Sequence, residues 1–108
     1  MSNFVNPVYR AAVTTGTSLA AGTASVASLL PTDQNGTTPR VCLFQALNST
    51  GAHLALGITT TATTATTSHL FLTPTPIALI TRGLSAFAAI RDVSTQACTV
   101  ICTPVEDG

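Results

Sequence analysis

The chain has 108 residues, the length of one domain, and only 7% of them are charged, against roughly 25% in an average soluble protein. Its basic residues are Arg10, Arg40, Arg82 and Arg91; lysine is absent and the formal net charge is zero. These values exclude the electrostatic footprint of a nucleic-acid or membrane-surface binder, and a hydrophobic share of 45% excludes a disordered chain.

In place of charge the chain carries 21 Thr and 16 Ala. A surface of Thr, Ser and Ala loses little side-chain entropy and little hydration when another protein covers it. Net charge near zero promotes association. The composition therefore predicts a surface built to be covered, as in a subunit of an assembly.

In chain order, residues 1–10 read as an extended arm. It has neither a basic region nor a continuous apolar run, so it is not a secretory signal. It holds the only Tyr and one of the four Phe. Phe4, Val5, Pro7, Val8, Tyr9 and Arg10 are the candidate partner-binding residues, adding to a neighbour as a strand or plugging its pocket. An ordinary edge strand on its own domain is the alternative reading of the arm.

Ala11–Leu19 is a first strand and Thr23–Leu30 a second, stopped by Pro31. Thr32–Pro39 is a polar loop whose Asn35-Gly36 pair signals a turn. Arg40–Leu47 is apolar on both faces, as in a central strand. The turn Asn48–Gly51 leads into Ala52–Ile58, where Ala52, Leu54, Leu56 and Ile58 alternate with His53, Ala55 and Gly57. These two strands read as a hairpin, with His53 on its polar face. Thr59–Thr67 offers no apolar face and reads as an exposed loop or edge extension. Strands at Ser68–Leu72, Ile77–Thr81, Ser85–Arg91 and Ala97–Thr103 complete the set, with a turn at Asp92–Thr95.

The pattern predicts an all-β fold: a small antiparallel β-sandwich of about eight short strands, jelly-roll-like or Greek key, with an extended N-terminal arm. The arm covers 1–10, the sandwich 11–104 and a C-terminal tail 105–108. The uncharged stretches at 11–32 and 41–81 are too interrupted by Thr, Ser, Gly and Pro to span a bilayer.

Chemistry is sparse. Cys42, Cys98 and Cys102 are an odd count, read as reduced, buried thiols packing the core, in a cytosolic setting. His53 and His69 show no ligand spacing with them. Asp33, Asp92, Glu106 and Asp107 form no recognisable acid pair. A relay drawn from Cys42, His53 and Asp92 would need geometry to mean anything. No phosphate-cradling glycine loop appears. The sequence predicts no enzyme, no cofactor, no metal and no small-molecule substrate.

The order of features resembles small virion structural proteins of tailed bacteriophages. An Ala/Ser/Thr-rich start runs into Ser-Val-Ala-Ser-Leu-Leu-Pro at 25–31, followed by Arg-Val-x-Leu-Phe-x-Ala-Leu-Asn at 40–48 and a strand ending in Leu56-Gly57. A Thr/Ala loop and a Pro-bearing turn then precede Phe87-Ala88-Ala89-Ile90 and a closing Thr-Val-Ile. The three cysteines and the histidines depart from the pattern. The resemblance implies a capsid decoration (cement) protein on the virion surface, assembled in the bacterial cytoplasm. Its partners would be the major capsid protein and itself, as a homo-oligomer such as a trimer. A tail, adaptor or head-fibre component, or a Thr-rich ice- or glycan-binding module, are the alternatives.

Overall fold

The computed structural model describes residues 9–11, 16–32, 36–47, 51–92 and 98–107, and these form nine strands and no helix. They are β1 (Tyr9–Ala11), β2 (Thr17–Ala21), β3 (Val26–Leu29), β4 (Val41–Leu47), β5 (Ala52–Gly57), β6 (Leu70–Leu72), β7 (Ile77–Ile80), β8 (Ala86–Arg91) and β9 (Cys98–Asp107). Val, Ile, Thr and Phe favour the pleated, half-buried surface that these strands share.

The pairing has a simple logic. β5 pairs with β6, β4 with β7, β3 with β8 and β2 with β9, all antiparallel. Each pair nests outside the last, like one long hairpin whose tip is the 58–69 connection. Rolling that ribbon brings β4 against β9 and β5 against β8. Two sheets result, one ordered β2-β9-β4-β7 and one ordered β3-β8-β5-β6. This is the eight-stranded jelly roll. β1 extends the β2 edge, pairing Tyr9 with Asp107 and Ala11 with Val105.

The expected hairpin of β4 and β5 does not form. The two strands lie in different sheets, β4 beside β9 and β7 and β5 beside β8 and β6. Alternation correctly places Ala52 and Leu54 inward but not Ile58, which lies beyond β5 and is 68% exposed, and it says nothing about which strand lies alongside. The expected tail at 105–108 is also corrected: β9 continues through Asp107, because Val105 pairs with Val41 and with Ala11.

The core lies between the sheets. Phe44 of β4 and Phe87 of β8 are fully buried and meet edge to face, with ring centroids 5.9 Å apart. Such a contact adds about 1 kcal/mol to the burial of the two rings. Ala46, Ala52, Ala89, Leu54, Leu72 and Val100 fill the space around them. At one end, Thr81–Leu84 forms a turn closed by the Leu84 amide on the Thr81 carbonyl (3.0 Å), with Gly83 at φ 79°. At the other, Arg91 gathers β2 to β8: its amide donates to the Gly22 carbonyl (3.0 Å) and its Nε to that of Ala21 (2.7 Å).

The Thr-rich run is the mostly exposed loop expected of it, with two exceptions. Thr63 and Ala65 are buried, and Ala65 packs on Ala55 and Ala88, with Ala27 and Ile90 beside them. These residues belong to the outer face of the β3-β8-β5-β6 sheet. The hairpin tip therefore folds back as a third layer. Local bonds shape it: the Thr63 amide (3.1 Å) and hydroxyl (2.6 Å) both donate to the Thr59 carbonyl, and the Ala62 amide donates to Thr59 Oγ1 (3.1 Å). Ser25 Oγ ties the segment to the start of β3 by accepting the Ala65 amide at 2.9 Å.

Candidate functional site

Strand alternation decides what each sheet shows to the outside. In the β2-β9-β4-β7 sheet, Leu19, Cys98, Val100, Cys102, Cys42, Phe44, Ala46, Ile77 and Leu79 turn inward. The residues between them face out: Ser18 and Ala20 on β2, Thr99, Ile101, Thr103 and Val105 on β9, Val41, Leu43, Gln45 and Leu47 on β4, and Ala78 and Ile80 on β7. No side chain in this set is charged, and Ile80 at its edge is 74% exposed. The outer face is thus a neutral surface of aliphatic, Thr, Ser and Gln side chains, half-buried along β9 and β4 and covered at one end, where Val41 and Val105 are buried. It has the chemistry of a protein contact.

The opposite sheet holds the polar cluster. His53 on β5 points outward, as its alternation predicts, but it is only 8% exposed because β6 and the folded-back segment flank it. Its Nε2 lies 2.7 Å from Asp92 Oδ1 and its Nδ1 lies 3.0 Å from the His69 carbonyl oxygen. The ring packs on Phe71 at a centroid distance of 5.3 Å. Both ring nitrogens are therefore engaged, one with the Asp92 carboxylate and one with the His69 carbonyl. Neither nitrogen is left to take a proton from a substrate or to ligate a metal.

Cys42, the third residue of the relay considered from sequence, belongs to the other sheet and is fully buried. The structure joins His53 to Asp92 and leaves Cys42 out. His69 is also accounted for: its Nδ1 accepts the Thr66 amide at 2.8 Å, while its own amide donates to the Thr66 carbonyl at 3.0 Å, closing a turn. Sequence reading did not find the His53–Asp92 contact. The two are 39 residues apart, and the β5–β8 pairing that sets Ala52 opposite Arg91 is needed to see it.

The thiols sit as expected. Cys42, Cys98 and Cys102 are free and buried. Thr81 Oγ1 donates to the Pro39 carbonyl at 2.7 Å and also lies 3.6 Å from Cys42 Sγ. A hydrogen bond with Cys42 pushes the Cys102 thiol pKa up, and burial pushes it further. Among the described residues, no group of three or more His, Cys, Asp or Glu could hold a metal ion.

A half-open cleft of about 470 Å3 lies between the end of β5 and the Thr-rich segment, lined by Leu56, Ile58, Thr59, Thr63, His69 and Leu84 among others. The hydroxyls of Thr59 and Thr63 are engaged in bonds within the segment itself. They do not form an outward-facing array.

Of the candidate arm residues, Phe4, Val5, Pro7 and Val8 lie outside the described residues. Tyr9 and Arg10 are in β1, with their backbones opposite Asp107 and Glu106. The end of the arm is thus an edge strand of its own domain, one of the two readings the sequence left open.

No family model, no curated protein and no solved structure matches this chain.

Proposed function

We propose that this chain is a non-enzymatic structural subunit that works by being covered: a capsid accessory protein of a virion, of the decoration type. The observation that carries the reading is the neutral outer face of the β2-β9-β4-β7 sheet. Laying a second protein on it desolvates no charge and orders few long side chains. The jelly roll, an architecture used by capsid and lectin domains, and the resemblance of the strand sequence to phage virion proteins support the capsid form.

The mechanism is passive. Interface buried between this subunit and neighbouring major capsid subunits raises the free energy needed to separate them. The same face serves equally in a tail, adaptor or head-fibre position on the particle, with different neighbours. An ice- or glycan-binding role has less support, because the Thr59 and Thr63 hydroxyls are spent on their own segment.

Co-sedimentation with capsids stripped of accessory proteins tests the proposal. Leu43→Lys and Ile101→Lys place charge on outward positions and leave the core untouched. Each should weaken binding at least about tenfold, the cost of roughly 1.4 kcal/mol, with an unchanged circular dichroism spectrum. Full binding by both variants, or none by the unaltered chain, overturns the reading.

A further inference from the structure

Among the described residues, the β7 edge carries an unused hydrogen-bonding pattern. The Thr81 amide donates to the Arg40 carbonyl at 2.8 Å, which makes that pair a hydrogen-bonded one in the β4–β7 ladder. Antiparallel ladders alternate, so Leu79 and Ile77 also bond to β4. The amides and carbonyls of Ala78 and Ile80 therefore point to the free edge. Backbone groups of this kind are obligatory bond formers, and native edges usually carry a charge, a proline or a bulge to block them. β7 reads Ile-Ala-Leu-Ile, with no such device between Pro76 and Arg82.

The other edges differ. The opposite edge of that sheet is shared by two strands, β1 and β2, both paired with β9. β6 has three residues. On β3 the Ser28 hydroxyl already donates to the Leu29 carbonyl at 3.2 Å.

We propose that two copies of this chain join through β7, antiparallel, about a two-fold axis at Leu79. In that register Ala78 faces Ile80 of the second copy and Ile80 faces its Ala78, so all four free-edge groups of each strand are bonded. The exposed Ile80 side chain lies on the small Ala78 across the junction, a large-on-small fit made twice.

Charge identifies the occupant as a second copy. A two-fold contact sets a surface against itself, so any charge near the axis meets its own kind. Here none of the outward side chains at the described positions of β2, β9, β4 and β7 is charged. Arg82 lies beyond the paired strand, in the turn that follows β7, and six residues of chain across the axis set the two Arg82 backbones on the order of 20 Å apart. The two sheets become one continuous sheet with one neutral face.

This inference rests on the assembly-subunit reading and names one partner of the same sheet. Light scattering on the full chain over a wide concentration range should give twice the 11.0 kDa monomer mass, with slow hydrogen exchange at the Ala78 and Ile80 amides. Ala78→Pro removes a free-edge amide without touching the β4 ladder, and Ile80→Lys places a charge at an exposed position. Both should give the monomer mass and fast exchange at residue 80 or its neighbours, with folding confirmed by circular dichroism. A monomer at every concentration, a ring of three or more copies, or an oligomer unaffected by both variants overturns the pairing. A monomer that still binds capsids would overturn the pairing alone; a β7 dimer indifferent to capsids would overturn the capsid role alone.

Discussion

His53 Nε2 sits 2.7 Å from Asp92 Oδ1, and through this contact a residue on β5 holds the segment leaving β8. With its other nitrogen on the His69 carbonyl at 3.0 Å, the same ring also holds the start of β6. Three segments distant in sequence converge on one imidazole. The arrangement is a structural clasp: it fixes the sheet edge over which the Thr-rich layer returns.

Removing either partner should loosen that edge. Asp92→Asn exchanges a charge-assisted bond for a neutral one, and Asp92 is partly exposed, so the expected loss is about 1 kcal/mol. His53→Ala leaves the His69 carbonyl without its donor and opens space beside Phe71, for about 2–4 kcal/mol. Urea unfolding of both single variants and the double variant measures the coupling. Strict additivity would mean that the contact contributes nothing to the fold.

The close fit of the third layer gives a second expectation. A Cβ at Gly57 would collide with the Thr63 side chain, whose hydroxyl is held on the Thr59 carbonyl. Gly57→Ala should therefore lift the 59–65 segment and destabilise by about 1–3 kcal/mol, the cost of overpacking. Thr63→Ala in the same background should recover part of the loss, since it removes the obstructing atoms. Denaturation midpoints of the three variants decide it.

These two sites also mark where the sequence stops being legible. Alternation in Ala52–Ile58 assigns Leu54 to the core and His53 to the outside, and the structure agrees. Alternation is a property of one strand and carries no information about its neighbour. A crossing between sheets and a hairpin turn look alike between β4 and β5, so the expected hairpin proved to be a crossing. The burial of His53 and Ala55 depends on a segment with no hydrophobic period at all. That segment is placed by hydroxyl-to-backbone bonds and by the small size of Ala65, signals too local to predict docking. The thiols were legible because inward position on β4 or β9 and small apolar character are both local properties.

Thr81 ties the start of β4 to the end of β7. Fully buried, it donates from Oγ1 to the Pro39 carbonyl at 2.7 Å. Thr81→Val keeps the shape and strands that carbonyl without its donor, for an expected loss of about 1–3 kcal/mol. Thr81→Ser keeps the donor and removes one methyl, for about 1 kcal/mol. If valine were tolerated better than serine in thermal unfolding, packing rather than the hydrogen bond would be holding this corner.

The absence of lysine makes the alkaline behaviour of the core readable. Without lysine, few side chains titrate between about pH 8 and 11. The hydrogen bond with Cys42 and burial together raise the Cys102 pKa above its usual 9.0. The same bond lowers that of Cys42, but burial opposes ionisation of both. The folded chain therefore keeps a proton on the pair where the unfolded chain has lost it, and stability falls as pH rises. The stabilisation is complete below about pH 9 and declines above it by about 1.4 kcal/mol per pH unit for one such proton. Urea midpoints should drop from pH 9 upward, and Cys102→Ala should flatten that slope while lowering stability at neutral pH. Alkylation by iodoacetamide should likewise follow the unfolded fraction of the chain. Rapid labelling of Cys102 in the folded protein at pH 9 would show that this thiol is open to ionisation and the slope has another source.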